Sequence, residues 1–109
     1  MDAVQRFEAL LAAGKDGALL RFSLGMQYLN AHDAPRAEEH LRKAVAIDPA
    51  YSAAWKLLGR SLELQERVDD AIDAYRRGIE AAEKRGDKQA AKEMGVFLRR
   101  LEKRAAPGA

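Results

Sequence analysis

Leu24-Gly25-Met26-Gln27-Tyr28 is answered by Leu58-Gly59-Arg60-Ser61-Leu62 at a spacing of 34 residues, and the echo continues with Ala37 against Ala71 and Arg42 against Arg76. A period of this length marks a solenoid of helix hairpins. One hairpin cannot bury its apolar face alone, and stacked neighbours make the core together. Leu20, Leu24 and Tyr28, and then Leu58 and Leu62, keep the i, i+4 spacing of a buried helical stripe. Ala, Leu, Arg, Glu and Lys dominate, and no apolar–polar alternation of period two is sustained, so every long segment reads as helix.

Breaks fall at Gly14-Lys15-Asp16-Gly17, Asn30-Ala31-His32-Asp33, Asp48-Pro49 and Arg85-Gly86-Asp87. Pro49 lacks an N–H and drives Asp48 out of the helical region, which stops the helix before it. Asp33 and Asp87 are placed as N-caps, and Pro35 is tolerated in the first turn after Asp33. The pattern predicts six helices, roughly 3–13, 18–31, 34–47, 53–65, 68–84 and 88–104, with a frayed tail over 105–109. Short loops make successive helices antiparallel neighbours. Gly inside a helix costs about 1 kcal/mol relative to Ala. Its recurrence as Gly25 and Gly59 predicts close approach of the paired helix there, opposite Ala37 and Ala71.

In chain order, Leu24-Gly25, Tyr28, Ala37, Leu41, Ala44 and Pro49, and then Trp55, Leu58-Gly59, Leu62, Ala71, Tyr75 and Gly78, resemble the tetratricopeptide repeat pattern. The resemblance implies an all-α, right-handed helix-hairpin solenoid with two full repeats, 18–51 and 52–85, in a single domain over 1–109. An N-terminal capping helix would lie in 1–17 and a C-terminal one in 86–104. Ala3, Phe7 and Ala12 fall one period before Ala37, Leu41 and Ala46, so the first helix reads as the second half of a truncated repeat, acting as a lid. Met94-Gly95 echoes Leu58-Gly59 at a spacing of 36. Glu83 replaces the closing Pro, so the helix before it is expected to run on toward Gly86. The last helix is expected to bury Ala90, Ala91, Met94, Phe97, Leu98 and Leu101, and to cover the second repeat around Trp55, Leu58 and Leu62. The chain is also similar to small bacterial single-domain members of this family of unassigned function, which share its Arg-Gly-Asp and Val-Phe-Leu-Arg-Arg-Leu ending.

A chain of 109 residues without cysteine fits one domain with a modest core, and it excludes disulfides, thiol catalysis and thiolate metal sites. No basic segment followed by a long apolar run stands after Met1, and no stretch has the length of a membrane span, so a cytoplasmic protein without membrane partners is expected. The net charge of +2 is unevenly spread: residues 84–104 hold eight basic and three acidic side chains, a local +5, and the remainder carries −3.

No catalytic constellation emerges. His32 and His40 are eight apart, which fits no helical zinc spacing. His32 reads as a turn residue and His40 as lying on an outward helix face. Asp69, Asp70 and Asp73 complement a helix N-terminus rather than forming an acid/base pair. Gly14-Lys15-Asp16-Gly17 is a turn, since a phosphate loop needs a longer glycine spacing after a strand. Trp55 and Tyr75 occupy core positions of the family pattern. Neither an enzyme activity nor a cofactor is implied.

The family resemblance instead points to a concave groove lined by the first helix of each hairpin. Its rows would be Leu19, Phe22, Met26, Leu29 and Asn30; then Ala53, Lys56, Arg60, Glu63 and Leu64; then Gln89, Lys92, Val96, Arg99 and Arg100. One end would be apolar and the other basic. Members that grip a peptide's terminal carboxylate use Lys, Asn and Arg where this chain has Phe22, Met26, Gln89 and Glu93, so that activity does not carry over. The expected function is a protein-interaction scaffold holding a peptide or helix, acidic with apolar anchors. The first alternative is a homodimer in which Leu19, Phe22 and Met26 face a second copy. A weaker one is nucleic-acid binding through the basic C-terminal helix, which lacks an expected exposed aromatic for base stacking.

Overall fold

Three aspartates start helices. Asp2, Asp33 and Asp87 each accept the backbone N–H three residues on, opening α1 (Ala3–Ala12), α3 (Ala34–Ile47) and α6 (Lys88–Ala105). Gln5 returns a bond to the Asp2 N–H and completes a capping box. The other three helices are α2 (Ala18–Asn30), α4 (Ser52–Leu64) and α5 (Val68–Lys84). The structure, a computed structural model, describes residues 1–106. The helices fall within a residue of the expected bounds. Of the expected tail, Ala105 closes α6, Ala106 follows it, and 107–109 lie outside the described residues.

Four helix ends share one stop. Gly14, His32, Glu66 and Gly86 are left-handed, with φ of 82°, 60°, 58° and 74°. The next residue's N–H then reaches five back, as Asp33 does to the Tyr28 carbonyl and Arg67 to that of Leu62. These turns fold the chain into two tightly packed hairpins, α2 with α3 and α4 with α5. The hairpins join through α3 and α4, and α6 packs on α5. Ala37, Leu41 and Ala44 of α3, Ala54, Leu58 and Leu62 of α4, Ala71, Tyr75 and Ala82 of α5, and Met94 and Leu101 of α6 form one closed core. Half-buried Glu38 ties the hairpins together, accepting from Arg42 of its own helix and from Gln65 and Arg67 beyond. Burial raises its pKa, but those bonds and the Arg42 and Arg67 charges outweigh it and hold Glu38 below the usual carboxylate value.

Two packing expectations need correction. A Cβ on Gly25 would meet Leu41, and one on Gly59 would meet Tyr75, each at 2.5 Å. The close approach is real, but its partners lie one helical turn beyond Ala37 and Ala71, because the antiparallel register sets each glycine against the larger side chain. The last helix also covers a different face. Met94 lies against Gly78 beside the Trp55 Cβ, and Phe97 against Tyr75, so α6 reaches α4 near Trp55 but shields mainly α5. Trp55, Leu58 and Leu62 also border a hollow between α3 and α5. At the other end α1 packs on α2 and buries none of its own residues.

Candidate functional site

Helices α2, α4 and α6 approach one another in turn, whereas α3 and α5 do not. The solenoid therefore curves inward on the even-numbered helices, and their outward-pointing side chains line a concave face. On α2, Leu19 is 69% exposed and Met26 37%. Phe22, between them, is half-buried and stacks on Tyr51 with ring centroids 4.9 Å apart. Leu29 is half-buried at the core edge, and Asn30 is exposed. Arg21 and Tyr28, which meet α1 and α3, occupy a different side of α2 from Met26, which stays exposed.

The structure brings Lys56, Arg60, Glu63 and Arg100 around one depression of about 310 Å³ between α4 and α6. Its apolar surface comes from Leu57 and Phe97, with buried Tyr75 behind them, and the sequence reading assigned none of the three to the site. Tyr75 donates its hydroxyl hydrogen bond to Glu63. Burial first, and then the Glu63 bond and charge, push the Tyr75 phenol far above its ordinary pKa against the opposing Arg60 and Arg100. Tyr75 therefore stays a neutral donor. Lys56 reaches Glu93 at 3.5 Å across the gap, so two carboxylates, Glu63 and Glu93, temper the basic end. The family resemblance already set Glu93 at a position where carboxylate-gripping members carry a basic residue, but its pairing with Lys56 was not legible. Arg100 lies over the Phe97 ring, 5.4 Å from its centroid. Gln89, Lys92, Val96 and Arg99 are exposed along α6, outside the depression. Ala53 and Leu64 are exposed on α4.

His40 departs from the expectation. It is buried, stacked on Tyr28 with centroids 5.5 Å apart and planes 3° from parallel. The Arg21 guanidinium stands 3.1 Å from Nδ1, and Glu8 lies 3.4 Å from Nε2. A guanidinium only donates, so Nδ1 accepts and Nε2 carries the proton toward Glu8. Burial foremost, with Arg21, lowers the His40 pKa, while Glu8, Glu39 and Asp16 pull the other way and lose. Counting periodicity on α3 alone missed this, because α1 and α2 supply the covering groups. His32 is exposed in its turn. Asp70 pairs with Arg67 and Asp73 with Arg77. The Trp55 indole donates to the Pro49 carbonyl and has Arg77 5.8 Å above its ring, so its polar handle and one face are taken. Among the described residues no three His, Cys, Asp or Glu side chains gather as a metal site would require, and no helix is long and apolar enough to cross a membrane.

The tetratricopeptide repeat family model matches residues 1–52 and 24–87. A tetratricopeptide-repeat-containing protein of Pseudomonas aeruginosa is 50% identical over 100 residues, covering 92% of this chain and 95% of its own. The solution structure of a Bordetella parapertussis protein superposes with a TM-score of 0.84 at 44% identity, covering 99% of this chain and 94% of that one. The crystal structure of a tetratricopeptide repeat domain protein from Salinibacter ruber gives 0.74 at 31% identity, over 79% of this chain and 97% of its own. The period of 34, the glycine-mediated hairpins and these likenesses agree, and the chain belongs to the tetratricopeptide repeat family.

Proposed function

We propose that the protein is a non-enzymatic cytoplasmic scaffold, organised as repeats 18–51 and 52–85 between two capping helices, that holds a short segment of another protein on its concave face. The depression between α4 and α6 carries this reading. It offers an apolar surface of Leu57 and Phe97, backed by buried Tyr75, under a rim of Lys56, Arg60 and Arg100, the chemistry that receives an apolar anchor flanked by acidic residues. Leu19, Phe22 and Met26 extend the surface with apolar area, and Asn30, Lys92, Arg99 and Arg100 border it. The exposure of Leu19 and Met26 also supports a second reading, a homodimer closed through that end. Nucleic-acid binding is disfavoured because Phe97, the aromatic beside the basic side chains of α6, is capped by Arg100.

Peptides selected from a displayed library on the wild-type protein give the test, with rates measured for Arg60→Glu and Phe22→Ala. Charge reversal at Arg60 should slow association and flatten its salt dependence, since rim charges act on encounter. Loss of the Phe22 ring should speed dissociation, by about 2 kcal/mol if it is an anchor. Unaltered rates in both variants reject the groove. A shift of sedimentation toward monomer in Phe22→Ala alone would favour the homodimer.

A further inference from the structure

In both hairpins a glycine of the first helix receives a large side chain of the second, Gly25 facing Leu41 and Gly59 facing Tyr75. The chain carries the two halves of a third such contact at its opposite ends. Gly95, in the Met94-Gly95 echo of Leu58-Gly59, has within reach only the tip of Arg99, at 3.4 Å, among the described residues. Phe7 holds the place of Leu41 one period earlier. Ala37, His40, Leu41, Ala44 and Val45 are buried in α3, yet of their counterparts in α1 Ala3, Phe7 and Leu11 are only half-buried, Arg6 is exposed and Leu10 is 45% exposed. Helix α1 thus carries second-helix side chains with no first helix over them, and α6 carries a first-helix glycine met only by the tip of Arg99 from its own helix and by no side chain of a second helix. They do not meet within one molecule: α1 packs on α2, α6 packs on α5 and α4, and the described residues span 50 Å.

We propose that copies of this chain join head to tail, α6 of one copy and α1 of the next forming a composite hairpin in which Phe7 seats against Gly95. The register is the one both internal hairpins use. It sets Phe7 and Leu10 against the half-buried Ala91, Gly95 and Leu98 face of α6. It also lays the stem of Arg6 over Leu98, as His40 lies over Tyr28 in the first hairpin. The two surfaces differ, so the contact is heterologous and does not close as a dimer; it propagates into short filaments or a ring. The concave faces then run on from one copy to the next. The assembly does not depend on the groove reading, and it uses a different surface from the Leu19 and Met26 patch.

Sedimentation across a wide concentration range should show the wild-type mass rising past that of two 12.1 kDa chains. Phe7→Glu and Gly95→Leu each destroy one end and spare the other. Each alone should remain monomeric with unchanged helical circular dichroism, and an equal mixture should form a one-to-one pair and stop there. A cross-linking variant keeps the test open if either substitution unfolds the chain. The protein has no cysteine, so oxidised Phe7→Cys/Gly95→Cys should give a ladder joined by links between positions 7 and 95. A wild type monomeric throughout, a mixture no heavier than its components, or links only between like positions would overturn the proposal.

Discussion

Gly59 lies directly beneath Tyr75, so close that a Cβ there would stand 2.5 Å from the ring. The phenol cannot swing aside, because it is fully buried and its hydroxyl is bonded to Glu63. Gly59→Leu should therefore cost at least the ~1–3 kcal/mol of overpacking. At about 4–8 °C per kcal/mol for a domain of this size, the thermal midpoint should fall clearly. A melt within a degree of wild type would show that α4 and α5 are not packed in this register.

Removing residues 87–109 should leave a chain that aggregates or melts without cooperativity. It would uncover Tyr75, where Phe97 packs at a centroid distance of 5.6 Å, and Gly78, where Met94 sits. Light scattering and a thermal scan of the truncated chain decide the point. A soluble monomer with a sharp transition contradicts it.

His40 makes stability depend on pH near neutrality. Its folded pKa is below the ordinary 6.5, so on acidification through that value the unfolded chain takes up a proton that the folded one refuses. Stability is full above 6.5, declines from there toward the folded value, and levels off below it. Asp16 and Glu38, whose folded values are lowered, add a separate loss at more acid pH, as their carboxylates protonate in the folded state. His40→Gln should flatten the dependence of the thermal midpoint between about pH 7 and pH 5 while preserving the acid limb. An unchanged slope would mean that His40 titrates alike in both states.

His32 holds φ at 60° with its side chain exposed. The left-handed conformation costs a residue with a Cβ about 1–2 kcal/mol, and Gly gives back part of that in unfolded-chain entropy. His32→Gly should stabilise by about 0.5 kcal/mol, read as a higher urea midpoint at constant slope. A lower midpoint would reveal a contact made by the imidazole.

The six helices were legible because their signals are local: Asp33 and Asp87 cap, Pro49 and Gly86 stop, and the 34-residue period fixes which stretches are equivalent. The groove rows on α2, α4 and α6 came from the family resemblance, which implies the inner face, and the period only carried those positions from one helix to the next. What escaped was every feature built between helices distant in sequence. The reach of Lys56 to Glu93 crosses two turns and a whole helix, and the cover over His40 comes from Glu8, Arg21 and Tyr28 on two other helices. Periodicity says which way a side chain points from its own helix. It does not say what stands there.

Every helix contact joins neighbours in the chain or next neighbours. Little loop entropy opposes such contacts, so folding should be fast and should start in the middle, where α3, α4 and α5 supply most of the closed core. Stability should be graded outward from there. Amide protons of α4 and α5 should exchange only on global unfolding, whereas those of α1, with no residue buried, should exchange through a local opening that leaves the rest intact. The molecule is thus a spring with a stiff centre and a soft first coil.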